Sequence, residues 1–127
     1  METGIKGKKE LTVTEELTAQ AVGSGGLKVF ATPCMISLME STASGSVQGE
    51  LPEGQSTVGT LINVTHLSAT PIGMKVWCES ELTAVDRRRL VFSVKAYDEK
   101  GLIGEGSHER FIVDDEKFMK KCQDKLQ

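Results

Sequence analysis

Apolar and polar positions follow two different periods along the chain. From Thr57 to His66 the period is two, with Val58, Thr60, Ile62, Val64 and His66 on one face, as in a half-buried β-strand. Met74, Val76, Cys78, Leu82 and Ala84 share one face of a second long strand, and Asp86-Arg87-Arg88 makes a turn. Leu90, Phe92, Val94 and Ala96 alternate along a third strand, and Asp98-Glu99-Lys100-Gly101 is a hairpin signal. Leu102 to Val113 forms a further strand, with Gly104 and Gly106 permitting close approach of another backbone. Upstream the period lengthens. Thr32-Pro33 predicts a helix start, threonine as N-cap and proline at the first helical position, and the helix runs to about Val47 before Gly49. Leu11 to Leu17 predicts a first strand, followed by loop material at Gly23-Ser24-Gly25-Gly26. At the other end Asp114-Asp115 caps a short helix carrying Phe118, Met119, Cys122 and Leu126 at helical spacing.

Strand, helix, then strands joined mostly by tight turns implies antiparallel neighbours, hence an α+β domain with one central helix against a curled antiparallel sheet of about five strands. Such a sheet has two free edges that must be covered or paired, and edge-to-edge dimerisation does so. The length of 127 residues fits one domain, placed at 11–127, behind a flexible tail at 1–10 in which Gly4 and Gly7 stand among Lys6, Lys8 and Lys9. A formal net charge of −3 matches a nucleic-acid backbone poorly, so no nucleic-acid partner is expected. No apolar run approaches the roughly 20 residues of a membrane span, and Met1 to Glu10 lacks the apolar stretch of a signal peptide. Three widely spaced cysteines, Cys34, Cys78 and Cys122, form no CxxC pair, so neither a disulfide framework nor a metal site is expected. A reducing, cytoplasmic setting is the corresponding expectation.

The helix is unusual. Between Val29 and Gly49 the only charged residue is Glu40, and the face opposite the apolar stripe is made of Ser37, Ser41 and Ser44. A surface helix ordinarily carries a charged face there. This one is expected to be buried nearly all round, with Glu40 at the border of the stripe beside Ile36, Ala43 and Val47. A buried carboxylate shifts its pKa upward or finds a partner, which makes Glu40 a candidate functional group. His66, on the strand face that carries Ile62 and Val64, should point toward the helix.

Several short stretches, taken together, carry a family likeness: Phe30-Ala31-Thr32-Pro33, Leu38-Met39-Glu40, Val64-Thr65-His66, Ala69-Thr70-Pro71 and Gly106-Ser107-His108-Glu109-Arg110. In these motifs and their spacing, from about Val29 to Phe118, the chain resembles the fluoroacetyl-CoA thioesterase family, a branch of the hot-dog-fold thioesterases. The resemblance implies a hot-dog fold paired into dimers or, by further pairing, tetramers. It also implies hydrolysis of a short acyl-CoA thioester, with coenzyme A as part of the substrate and no separate cofactor. It places catalytic roles on Thr32, Glu40 and His66, and contacts to the acyl end on Gly59 and Arg110. His108 is read as structural, and Arg87-Arg88-Arg89 as a solvated turn. The family's fluoroacetyl-specific enzyme carries phenylalanines shortly before the helix. Here Ala21-Val22-Gly23-Ser24-Gly25-Gly26 offers no aromatic wall, so fluoroacetyl selectivity does not follow from the resemblance.

Glutamate can act as general base toward water or attack the thioester directly, and both roles stay open for Glu40. Thr32 and Glu40 stand eight residues apart, about 12 Å along a helix, too far for a direct hydrogen bond within one chain. Either His66 and the substrate bridge the two, or the site combines Glu40 of one subunit with residues of the other, and the composite site at a dimer interface is the favoured expectation. The competing readings are a non-catalytic acyl-CoA binding or sensing module on the same fold, and a hydratase or dehydratase, which pairs its acid and histidine differently.

Overall fold

The computed structural model describes all residues, 1–127. Five strands form one antiparallel sheet: β1 (Lys6–Thr12), β2 (Gln55–His66), β3 (Lys75–Asp86), β4 (Arg89–Asp98) and β5 (Gly101–Asp114), in the order β1-β3-β4-β5-β2. The long helix α2 (Thr32–Gln48) lies across one face of the sheet, preceded by a single turn, α1 (Ala19–Val22), and α3 (Asp115–Gln123) ends the domain. This is the α+β arrangement that the two periods predict.

The core is the meeting of two apolar surfaces. Met35, Leu38, Met39, Ala43 and Val47 of α2 face Val76, Cys78 and Leu82 of β3, Leu90, Phe92, Val94 and Ala96 of β4, and Ile103 of β5. Burying each large apolar side chain contributes about 1.5–3 kcal/mol, so this layer fixes where α2 sits. Gly106 is needed for close approach, because a Cβ there would run into the backbone of Asn63 and Val64 on β2.

Three expectations change. The first ten residues are not a free tail from Lys6 onward: β1 pairs with β3 from Lys6↔Glu81 to Thr12↔Lys75, and the strand expected at Leu11–Leu17 lies mostly beyond it. Lysine-rich composition resembles a solvated tail, yet edge pairing uses backbone groups, and Gly7 lets β1 approach Thr42 and Ser46 of α2. The helix start shifts too. Ala31 is the N-cap, with φ −73° and ψ 139°, so Thr32 lies inside the first turn and its hydroxyl is not spent on capping. Finally, α2 is buried on one side only, for Ser37, Gly45 and Gln48 are exposed in the single protomer. The residues of α3 are exposed throughout, Phe118 and Met119 included.

Candidate active site

Strand β2 determines the site because it changes face midway. Its pairing with β5 runs from Gln55↔Asp114 to Gly59↔Arg110, then resumes at Leu61↔Glu109, leaving Thr60 as an extra residue in a β-bulge. Before the bulge Thr57 and Gly59 look toward the helix; after it Ile62, Val64 and His66 do. The single face expected for Val58, Thr60, Ile62, Val64 and His66 is therefore broken, and Val58 and Thr60 fall off it.

Two clusters form on the helix side of this strand. At its end, Thr32 Oγ1 and His66 Nδ1 share a hydrogen bond of 2.7 Å. His66 Nε2 is buried without a partner. Burial pushes this imidazole below its ordinary pKa, with the backbone at Ser68 opposing in part. The pair opens on a cleft of about 320 Å³ lined by Phe30, Leu67, Ser68 and Ala69, with Ala19 and Ser24 from the segment before α2. Apart from Phe30, which is buried, the walls are small or aliphatic.

The second cluster surrounds Glu40. Its Oε2 lies 3.5 Å from Arg110 Nη1, and the Glu40 side chain is 42% exposed against 9% for Arg110. The carboxylate is less buried than expected, because this side of α2 is open in the single protomer, but it has a cationic partner in Arg110. Arg110 is held from behind: Nε donates to Thr57 Oγ1 at 2.7 Å and Nη2 to the Thr57 carbonyl at 2.9 Å. Burial pushes the guanidinium down from its ordinary pKa, and Glu40 pulls it back. His108, 1% exposed, brings Nε2 within 3.2 Å of Arg110 Nη1. A cleft of about 200 Å³ lies beside Glu40, Gly59, Thr60, Leu61, Ile62 and His108.

The structure thus brings Glu40, Gly59 and Arg110 together, and separately Thr32 with His66. It does not bring the two groups together within one chain. From Gly59 to His66 is seven residues, roughly 20 Å of strand. The imidazole beside Glu40 is that of His108, which sequence reasoning left as structural. The available signal was its two-residue spacing from Arg110, which puts both side chains on one strand face. No three His, Cys, Asp or Glu side chains come together in a way that would hold a metal ion.

Comparison with known proteins gives a consistent picture. The sequence profile of the fluoroacetyl-CoA-specific thioesterase family matches residues 13–116. A fluoroacetyl-CoA thioesterase of Streptantibioticus cattleyicolor is 42% identical over 98 residues, covering 77% of this chain and 70% of the relative. The solved structure of the fluoroacetyl-CoA thioesterase FlK superposes with a TM-score of 0.92 at 34% identity, over 98% of this chain and 97% of that one. A variant of FlK in complex with fluoroacetate and CoA superposes at 0.88 and 35% identity, over 93% and 99% of the two chains.

Proposed function

The chain belongs to the family of fluoroacetyl-CoA-specific thioesterases and is a thioester hydrolase with the hot-dog fold, and on that premise we propose that it hydrolyses short acyl-CoA thioesters at a site shared by two copies of the chain. In this reading Glu40 of one copy works with Thr32 and His66 of the other. The observation that carries it is the division of the site. Thr32–His66 and Glu40–Arg110 are each internally bonded, lie on the same side of one strand, and are too far apart to act on one thioester within a protomer.

The free edges of the sheet support a dimer through β2. Strand β1 carries Lys6, Lys8, Lys9 and Glu10, the charged pattern that discourages edge pairing. Strand β2, Gln55 to His66, has no charged residue and exposes Leu61 and Ile62. Pairing β2 with its own copy, antiparallel about a two-fold axis through Asn63, sets inward Ile62 against the partner's Val64. Counting the bulge as one position, His66 then falls opposite the partner's Gly59, with Glu40 behind it. The small, uncharged side of α2 would be covered by the same association.

The chemistry follows from the groups present. Glu40 either takes a proton from water, whose oxygen attacks the thioester carbon, or attacks that carbon itself to give an anhydride that water then opens. In both cases the carbonyl electrons collect on oxygen, the C–S bond breaks, and CoA leaves as thiolate, which takes its proton from Glu40 in the first route and from the water that opens the anhydride in the second. Donors for the oxyanion are the Thr32 N–H, which at the first helical turn has no intrahelical acceptor, and the unpartnered Nε2 of His66 when it carries the proton. Arg110 compensates the charge of Glu40 and keeps its carboxylate near Gly59. Ala19 and Ser24, from the segment before α2, add no aromatic wall to the cleft, so it carries no ring there to select a fluoromethyl group.

The test is release of free thiol from acetyl-, propionyl- and fluoroacetyl-CoA. The expected result is turnover of at least one substrate, abolished by Glu40→Gln with the circular dichroism spectrum retained. Binding of acyl-CoA with no thiol release from any of the three would favour a sensing module instead. For the shared site, Asn63→Cys in a Cys122→Ser background should give a disulfide-linked dimer, because residues on the two-fold stand about 4.5–5.5 Å apart. A monomer by ultracentrifugation would remove the composite site.

A further inference from the structure

We propose that His108 is the positioning residue of this site: one imidazole holds the β2 bulge through Leu61 and aims Arg110 at Glu40. The proposal rests on the hydrolytic reading above for its consequences in turnover, but its geometry stands independently.

The bulge is required by parity. Successive residues of a strand point to opposite faces, so Gly59 and His66, an odd number apart, would face opposite ways in a regular strand. The extra residue Thr60 cancels that mismatch and puts both on the helix side. Without the bulge, the half of the site at Gly59 and the half at His66 could not look into one cleft, whatever the dimer register.

His108 is bonded to the bulge itself. Its Nδ1 is 2.8 Å from the carbonyl oxygen of Leu61, the first residue to resume pairing after Thr60. A carbonyl only accepts, so Nδ1 carries the proton. On the other side of the ring Arg110 Nη1, which only donates, approaches Nε2 at 3.2 Å, so Nε2 offers its lone pair. The two contacts select one neutral tautomer. The charged groups facing the ring are Arg110 and Glu40, whereas neighbouring Glu109 turns to the opposite face and meets Arg89. A second proton on Nε2 would confront the guanidinium, and burial likewise lowers the pKa of this group. Phe92, with its centroid 6.1 Å away, packs along the ring and fixes its plane.

Arg110 therefore has its direction set by three acceptors, Thr57 Oγ1, the Thr57 carbonyl and His108 Nε2, leaving Nη1 beside Glu40. Removing the third releases the end of the guanidinium that meets the carboxylate. The predicted effect is on the reacting geometry, so kcat should suffer more than KM.

The experiment combines a spectroscopic readout with graded substitutions. Long-range nitrogen–proton NMR of the wild type at pH 7 should show His108 neutral with the proton on Nδ1. A protonated ring, or the Nε2–H tautomer, would overturn the proposal. His108→Asn places an amide donor near Nδ1 but leaves Arg110 without its acceptor. It should retain the Asn63→Cys cross-link while kcat falls roughly tenfold to a hundredfold with KM little changed. His108→Gln keeps an acceptor near Nε2 but drops the bond to Leu61, so cross-link yield should fall, and kcat with it because the site is shared across the dimer. His108→Phe supplies packing alone; wild-type kcat and cross-link yield in that variant would show His108 to be a core filler and overturn the proposal. Absence of thiol release from the wild type would overturn the hydrolytic reading alone, while the tautomer and the cross-link still decide the positioning role.

Discussion

Gly59 offers the sharpest test of the Glu40 geometry, because a single added carbon strikes the carboxylate and little else. A Cβ built on Gly59 lies 2.7 Å from Glu40 Oε2, 3.3 Å from Arg110 Nη1 and 3.4 Å from His108 Cε1. Ordinary contact begins at 3.4 Å, so in Gly59→Ala the carboxylate must withdraw by 3.4 − 2.7 = 0.7 Å, whereas the two bases need hardly move. The atom that must yield is the end of a flexible side chain, so the cost in stability is small. Gly59 also lacks a positive φ, so alanine loses nothing in the backbone and gains about 0.4–1 kcal/mol from the unfolded chain. The cost in rate is larger. Displacing a reacting group by about 1 Å costs on the order of 10²-fold, about 2.7 kcal/mol in the barrier. The expected result is a kcat lower by one to two orders of magnitude with an unchanged or slightly raised Tm. Steady-state thiol release and a thermal melt measure both. A Gly59→Ala enzyme with wild-type kcat would refute the reasoning.

Other consequences follow from the same geometry. Thr32→Val keeps the shape but removes the hydroxyl bonded to His66, and kcat should fall about tenfold, with Thr32→Ser restoring most of it; equal rates for valine and threonine would remove the hydroxyl from the mechanism. Both histidines of the chain, His66 and His108, have pKa values held below the ordinary 6.5 by burial. The unfolded chain therefore binds more protons than the folded one just below that pH, so stability is complete above about pH 6.5 and declines as pH falls, by at most about 1.4 kcal/mol per pH unit for each histidine. Urea unfolding between pH 7 and 5 measures the slope, and a stability that rises on acidification contradicts it. Ser24→Phe would add an aromatic wall to the cleft at Thr32 and should change the ratio of rates for fluoroacetyl- and acetyl-CoA. An unchanged ratio would show that this segment does not touch the acyl group.

Local periodicity made much of this protein legible from its residues. The alternation along Val76–Leu82 and Leu90–Ala96 defined two core strands, and the charge-free run around Glu40 identified both the central helix and its candidate carboxylate. Those signals are local, because a strand or helix face is set by residues two to four positions apart. Three features needed the folded chain. Lys6–Thr12 is a strand because β3 offers it backbone partners, a fact no lysine-rich composition can express. Thr60 is a bulge because Gly59 pairs with Arg110 and Leu61 with Glu109, so the facing of His66 relative to Gly59 depends on a strand nearly fifty residues away. And His108 lies against Arg110 and the Leu61 carbonyl only once β5 and β2 are paired. Sequence thus determined which side chains were available for the chemistry, since type and periodicity are carried along the chain. Tertiary structure decided which of them meet, since distances between strands come from pairing and packing.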